Sequence, residues 1–78
     1  MKDLTVYILK YLVNFPDDVE VTEKEEQDNG SVTLTIKVNK EDMGRVIGKD
    51  GKIIRSLRDV VKILALKLNK HADIILAE

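Results

Sequence analysis

Seventy-eight residues, 44 % apolar and 35 % charged, are enough for one small folded domain that buries roughly 60 % of its unfolded surface, and that balance excludes a disordered chain. With no cysteine there is neither a disulfide framework nor a thiolate metal site, and no apolar run approaches the ~20 residues of a membrane span. The net charge of -1 hides an asymmetry: residues 1–39 carry four Lys against eight Asp or Glu, residues 40–70 carry nine Lys or Arg against four acids, and residues 71–78 add two acids. The start, Met1-Lys2-Asp3, lacks signal-peptide layout, so a cytoplasmic protein is expected.

Residues 3–14 read as a helix, with Leu4, Ile8 and Leu12 recurring every four positions and Leu9 and Val13 on the adjoining edge. Asp3 can cap its start, and Phe15-Pro16 ends it, because the residue before proline avoids the helical region. Val6, Tyr7 and Tyr11 exceed what one buried stripe needs. They either cover core edges with their polar tips in water or form a protein contact face.

Val19 and Val21 open a strand that runs into the acidic stretch Glu23-Lys24-Glu25-Glu26. Such a stretch suits a solvated sheet edge, where charge discourages pairing between molecules. Asn29-Gly30 is the strongest hairpin signal in the chain, since both residues tolerate positive φ. Beyond it Val32, Leu34, Ile36 and Val38 alternate with Ser31, Thr33, Thr35 and Lys37, the pattern of a half-buried strand.

Asn39 offers an N-cap, and Glu41 and Asp42 place acids in the first turn of a short helix reaching about Ile47. A longer helix is predicted over residues 52–69, with Ile53, Leu57, Val60, Val61, Leu64 and Leu68 on one face and Ile54 and Ala65 at its margin. Lys52, Arg55, Arg58, Asp59 and Lys62 take the opposite side, interrupted by Ile63 and Leu66 near the far end. Ala72, Ile74 and Leu76 form one side of a last strand. The order α-β-β-α-α-β combines an antiparallel hairpin with a strand that returns through two helices. It predicts an α+β domain: a three-stranded mixed sheet covered on one face by three helices.

Between the two later helices lies Val46-Ile47-Gly48-Lys49-Asp50-Gly51-Lys52-Ile53-Ile54. Its glycines permit unusual backbone and close approach, the helix start presents free N–H groups, and Lys49 and Lys52 add cations, all features that suit a phosphate. A P-loop does not fit: three residues, not four, separate Gly44 from Gly48, and Asp50 stands where a magnesium-binding hydroxyl would be needed. Nor does an enzyme. His71 is the only histidine and Ser56 has no neighbouring base, so no catalytic residue, cofactor or metal ligand set is assigned.

Gly48-Lys49-Asp50-Gly51 between two helices, with Val46-Ile47 before it and Ile53-Ile54 after it, resembles the GxxG loop of a KH domain. The element order resembles the type II arrangement, and a chain that is this one domain over 1–78 resembles the small bacterial KH proteins of the KhpA family. The resemblance implies a non-catalytic protein that clamps about four nucleotides of single-stranded RNA. It also implies a post-transcriptional regulator or RNA chaperone working as a homodimer or with a KhpB (Jag)-type partner. The loop residues Gly48, Lys49, Asp50 and Gly51 are expected to meet the backbone, with Lys52, Arg45 and Arg55 extending the positive track. Gly44 and Ile47, with apolar residues of strand 31–38 such as Ile36, are expected to floor a groove walled by that strand and the helices, the alternative for Ile47 being a place wholly in the core.

Asp50 puts a negative charge in the loop, and Tyr7, Tyr11 and Phe15, the only aromatics, fall outside it. Stacking, worth ~1–3 kcal/mol per base, is therefore missing there. One such groove should bind weakly, which favours pairing with a second site. The same features leave open an assembly module with a KH fold and little RNA affinity. A basic helix lying on a membrane is a poor reading, because its apolar face is needed to cover the sheet and too little apolar surface is left for insertion.

Overall fold

The structure, a computed structural model, describes residues 1–26, 28 and 30–77, and the elements follow the expected order. Helix α1 spans Lys2–Leu12, strands β1 and β2 span Glu20–Glu26 and Ser31–Lys37, helix α2 spans Met43–Ile47, helix α3 spans Lys52–Lys67 and strand β3 spans His71–Leu76. β2 is the central strand, antiparallel to β1 and parallel to β3. The expected three-stranded mixed sheet is present, and its core forms where Val32, Leu34 and Ile36 of β2 meet Leu9 of α1, Val46 of α2 and Val61 of α3. Gly30, at φ +70°, adopts the left-handed backbone expected of the hairpin turn, while its neighbour Asn29 lies outside the described residues.

β1 is the acidic edge strand that its composition implied. Val21 is its one buried residue, and Glu23 and Glu25, on the same side, are exposed. An ion pair between Lys70 and Glu25 ties the turn after α3 to this edge. Among the described residues no helix is long and apolar enough to cross a membrane.

Two helices are rotated relative to the sequence reading. α1 buries Thr5 and Leu9, and Val13 just after it is buried too, whereas Leu4 is exposed and Ile8 and Leu12 are half-buried. A threonine can occupy that core position because its hydroxyl donates to Met1 O at 2.7 Å, satisfying itself within the helix. The cap is also different: Met1 precedes the helix without a side-chain cap bond, and Asp3 falls inside the first turn. α1 stops at Leu12, and Val13 is already extended.

α3 buries Ile54, Leu57, Val61 and Ala65, so two residues predicted for the margin are central, while Val60 and Leu68 are exposed. The reason is tertiary. α3 lies over β3, where the Arg58 guanidinium reaches Ile74 O, and stands apart from α1. A groove of about 320 Å³ separates the two helices, lined by Ile8 and Leu12 on one side and Ile53, Leu57 and Val60 on the other. Apolar periodicity marks a wide stripe but does not say which half of it meets the sheet.

Asp42 is an acid of the first turn, as expected, but it is also fully buried. Its two carboxylate oxygens accept the main-chain N–H groups of Asn14 and Phe15, each at 3.0 Å. The end of α1 is thereby fixed to the start of α2. Asn39 does cap, as expected: its side-chain oxygen accepts from Glu41 N–H at 2.9 Å, at the head of a single 3₁₀ turn, Lys40–Asp42, that leads into α2.

Candidate nucleic-acid interface

The segment between α2 and α3 is a tight turn with an unusual backbone. Gly48 ends α2 at φ 74° and ψ 175°, a region only glycine occupies comfortably. A methyl group added there would lie 2.6 Å from the Ile53 side chain. Gly48 is thus demanded by the fold of the turn itself. Asp50 follows at φ 57° and Gly51 at φ 74°, so three of the four loop residues have positive φ.

The loop's own hydrogen bonds determine what it presents outward. Gly48 N–H donates to Gly44 O at 2.9 Å, Gly51 N–H donates to Gly48 O at 3.2 Å, and Lys52 N–H donates to Lys49 O. These bonds leave the amides of Lys49 and Asp50 outside the loop's internal pattern, at the head of a 16-residue helix whose dipole is positive at this end. Lys49, Asp50 and Lys52 are exposed. Among the described residues, neither lysine takes part in an ion pair, so both cations are available to a ligand.

The flanking residues divide into different roles. Gly44 is exposed on α2, and a Cβ built on it would meet no atom within 4 Å. Nothing inside the protein requires glycine there, although glycine costs an isolated helix position roughly 0.5–1 kcal/mol relative to alanine. Ile47 is one of the exposed large apolar residues and is free to form part of a surface. Ile36 is not. It is fully buried and cannot floor a groove. Nor can β2 wall one, because it is hydrogen-bonded to a strand on each side. The edge open beside α3 belongs to β3, and Arg58 crosses to it with Nη2 3.4 Å from Ile74 O.

The matching family model is that of the KhpA/KhpB KH domain, and it covers residues 2–76. The chain belongs to this family. It is 49 % identical over 70 residues to the RNA-binding protein KhpA of Clostridium perfringens, covering 90 % of this chain and 91 % of that protein. With the RNA-binding protein KhpA of Clostridium acetobutylicum it shares 47 % over 71 residues, 91 % of this chain and 92 % of the relative. The RNA-binding protein KhpA of Chlamydia caviae is 33 % identical across 78 residues, 100 % of this chain and 97 % of the relative. No solved structure matches. KH domains of this family are non-enzymatic, which agrees with the reading of the sequence.

Within this KH domain the cations expected to form one track are engaged differently. Arg45 leans toward α1, with Nε 3.8 Å from Asp42 Oδ1, and turning the Asn14 amide brings its oxygen within 2.9 Å of the same guanidinium. It remains half-exposed, but it also braces the junction between α1 and α2. Arg55 folds back onto the loop, with Nε 3.3 Å from Gly51 O and Nη2 bonded to Asp50 O. Lys52 sits at the mouth of the groove between α1 and α3, away from the flank where Arg58 meets β3. Arg58, on the polar side of α3 as expected, is held to β3 by its bond to Ile74 O.

A second exposed surface lies away from the loop. Tyr7 and Tyr11 stand on the outer side of α1, ring centroids 5.2 Å apart in an edge-to-face pair. Their hydroxyls are 3.3 Å apart, and this bond holds the Tyr7 phenol above its ordinary pKa. Tyr11 on α1 is exposed by 77 %, and on α3 Ile63 and Leu66 are exposed by 58 % and 65 %.

Proposed function

We propose that this chain is a non-catalytic module that binds single-stranded RNA in the cytoplasm and regulates transcripts after their synthesis. The observation that carries the reading is the turn at 48–51 with the head of α3: Lys49 and Lys52, in no ion pair among the described residues, beside two amides that the loop's own bonds do not use, in a family whose relatives are named as RNA-binding proteins. Phosphates take the amides and Lys49, with Lys52 beside them. The strand then passes over Gly44, where a built Cβ would meet no atom within 4 Å, and along the exposed Ile47.

Contacts so few, with no aromatic in the loop, give weak binding with little sequence discrimination. We therefore infer that the domain acts paired, either with a second copy or with another KH-containing chain, so that linked sites reinforce one another. The exposed apolar residues Tyr7, Tyr11, Ile63 and Leu66 supply surface for pairing.

The direct test is fluorescence anisotropy with a labelled single-stranded RNA, comparing wild type with a Lys49→Asp, Lys52→Gln variant. Loss of binding with an unchanged circular dichroism spectrum is expected. Equal binding by both would remove the loop from the mechanism. The second reading, an assembly module without useful RNA affinity, is favoured by the apolar surface and by Asp50 in the loop. Crosslinking the tagged protein in cells separates the two, since recovery of no RNA above the loop variant would support assembly.

A further inference from the structure

The turn that offers Lys49 and Asp50 to a ligand holds an improbable backbone. Gly48, Asp50 and Gly51 have positive φ, and Asp50 is not a glycine. Conformations of this kind persist only where neighbouring structure over-determines them. The turn's internal bonds run from Gly48 N–H and Gly51 N–H and fix its entry and exit. Neither engages the carbonyl of Asp50 or of Gly51. One side chain reaches both carbonyls. Arg55, in the first turn of α3, donates from Nε to Gly51 O at 3.3 Å and from Nη2 to Asp50 O. A guanidinium is a rigid planar fork, so two such bonds from one group set the relative orientation of both peptide units.

We propose that Arg55 is a positioning residue of the binding loop, a clamp on the 50–51 and 51–52 peptide planes that holds the left-handed backbone of Asp50 and Gly51 and so fixes the course of the loop between Lys49 and Lys52. Three consequences follow from the geometry. The cation adds to the positive field at the N-terminal end of α3. It offsets the cost of positive φ at Asp50, which permits a charged residue where glycine would be easier. With two donors committed inward, Arg55 serves the loop and not the phosphates. This assignment rests on the RNA-binding reading for its functional consequence, but the clamp itself can be observed without RNA.

Two substitutions separate a clamp from a phosphate contact. Lysine keeps the charge and still binds phosphate as a point cation, but it cannot form the fork. A clamp therefore predicts that Arg55→Lys and Arg55→Gln weaken RNA binding alike, by about fivefold, the change in an equilibrium that one net hydrogen bond supplies. The slope of log affinity against log salt should stay at the wild-type value in both, because no phosphate contact is lost. Lys49→Gln, by contrast, should reduce that slope by about 0.7.

Without RNA, hydrogen exchange at the bonded amides of Gly51 and Lys52 should rise in both Arg55 variants, stay unchanged in Lys49→Gln, and leave the core of α3 protected. Near-wild-type affinity for Arg55→Lys, or a slope that falls in Arg55→Gln, would make Arg55 a phosphate contact and overturn the proposal. Unchanged loop exchange in both Arg55 variants would overturn it as well. If wild type bound no RNA, the RNA-binding reading would fail while the exchange measurement still decided the clamp.

Discussion

Replacing Gly44 by alanine sends stability and binding in opposite directions. Gly44 lies inside α2 with ordinary helical backbone, and the added methyl would meet no heavy atom within 4 Å. No clash opposes the gain in helix propensity, roughly 0.5–1 kcal/mol. For a domain of this size each kcal/mol corresponds to a shift of about 4–8 °C in the melting temperature, so the variant should melt about 2–8 °C higher. An RNA strand that uses the bare Cα as floor would be lifted by the methyl and lose its closest contacts. We expect affinity to fall about tenfold, equivalent to roughly 1.4 kcal/mol. Calorimetry and RNA anisotropy on the same preparation check both halves. A variant that is stabilised and binds RNA as tightly as wild type would refute the passage of the strand over α2. A variant that melts lower would refute the reading of open space above Gly44.

Gly48→Ala should destabilise the domain by about 1–3 kcal/mol in urea titration, since it combines strained backbone with a 2.6 Å approach to Ile53; Gly51→Asn, which tolerates the left-handed region and has only ordinary contacts, should cost far less. Asp42→Ala strands the buried N–H groups of Asn14 and Phe15 and should cost about 2–4 kcal/mol, again by urea titration. A cost near zero would mean that those amides find water and that Asp42 is no anchor. RNA affinity of the wild type should fall as salt rises, with a slope of about 0.7 for each phosphate met, and a flat profile would exclude the lysines as contacts. Ile63→Asp, at a position 58 % exposed, should leave the melting temperature nearly unchanged and weaken self-association in sedimentation if the apolar surface pairs two copies.

Much of this domain follows from local spacing. Alternation in residues 31–38 placed Val32, Leu34 and Ile36 on the buried face of β2, and the glycine-bracketed turn stood out without any fold. Arg55 and Asp42 were visible only as charges on helices. A guanidinium that turns back to grip carbonyls and one that reaches for phosphate have the same sequence signature. The apolar surplus on α1 was equally legible, but the rotation that buries Thr5 and exposes Leu4 was not, because Thr5 satisfies its hydroxyl inside its own helix.

The sequence by itself determined the order of elements, the hairpin, the acidic edge, the basic helix and the loop, because each rests on neighbours two to four positions apart. Tertiary structure alone decided which half of each amphipathic stripe meets the sheet, which strand keeps an open edge beside α3, and what Asp42 holds. Those outcomes depend on partners distant in the chain: the Asp42 carboxylate meets amides 27 and 28 positions away, and β2 loses both edges only when β1 and β3 pair with it. Periodicity records that a residue is to be buried or bonded. Only packing selects the partner.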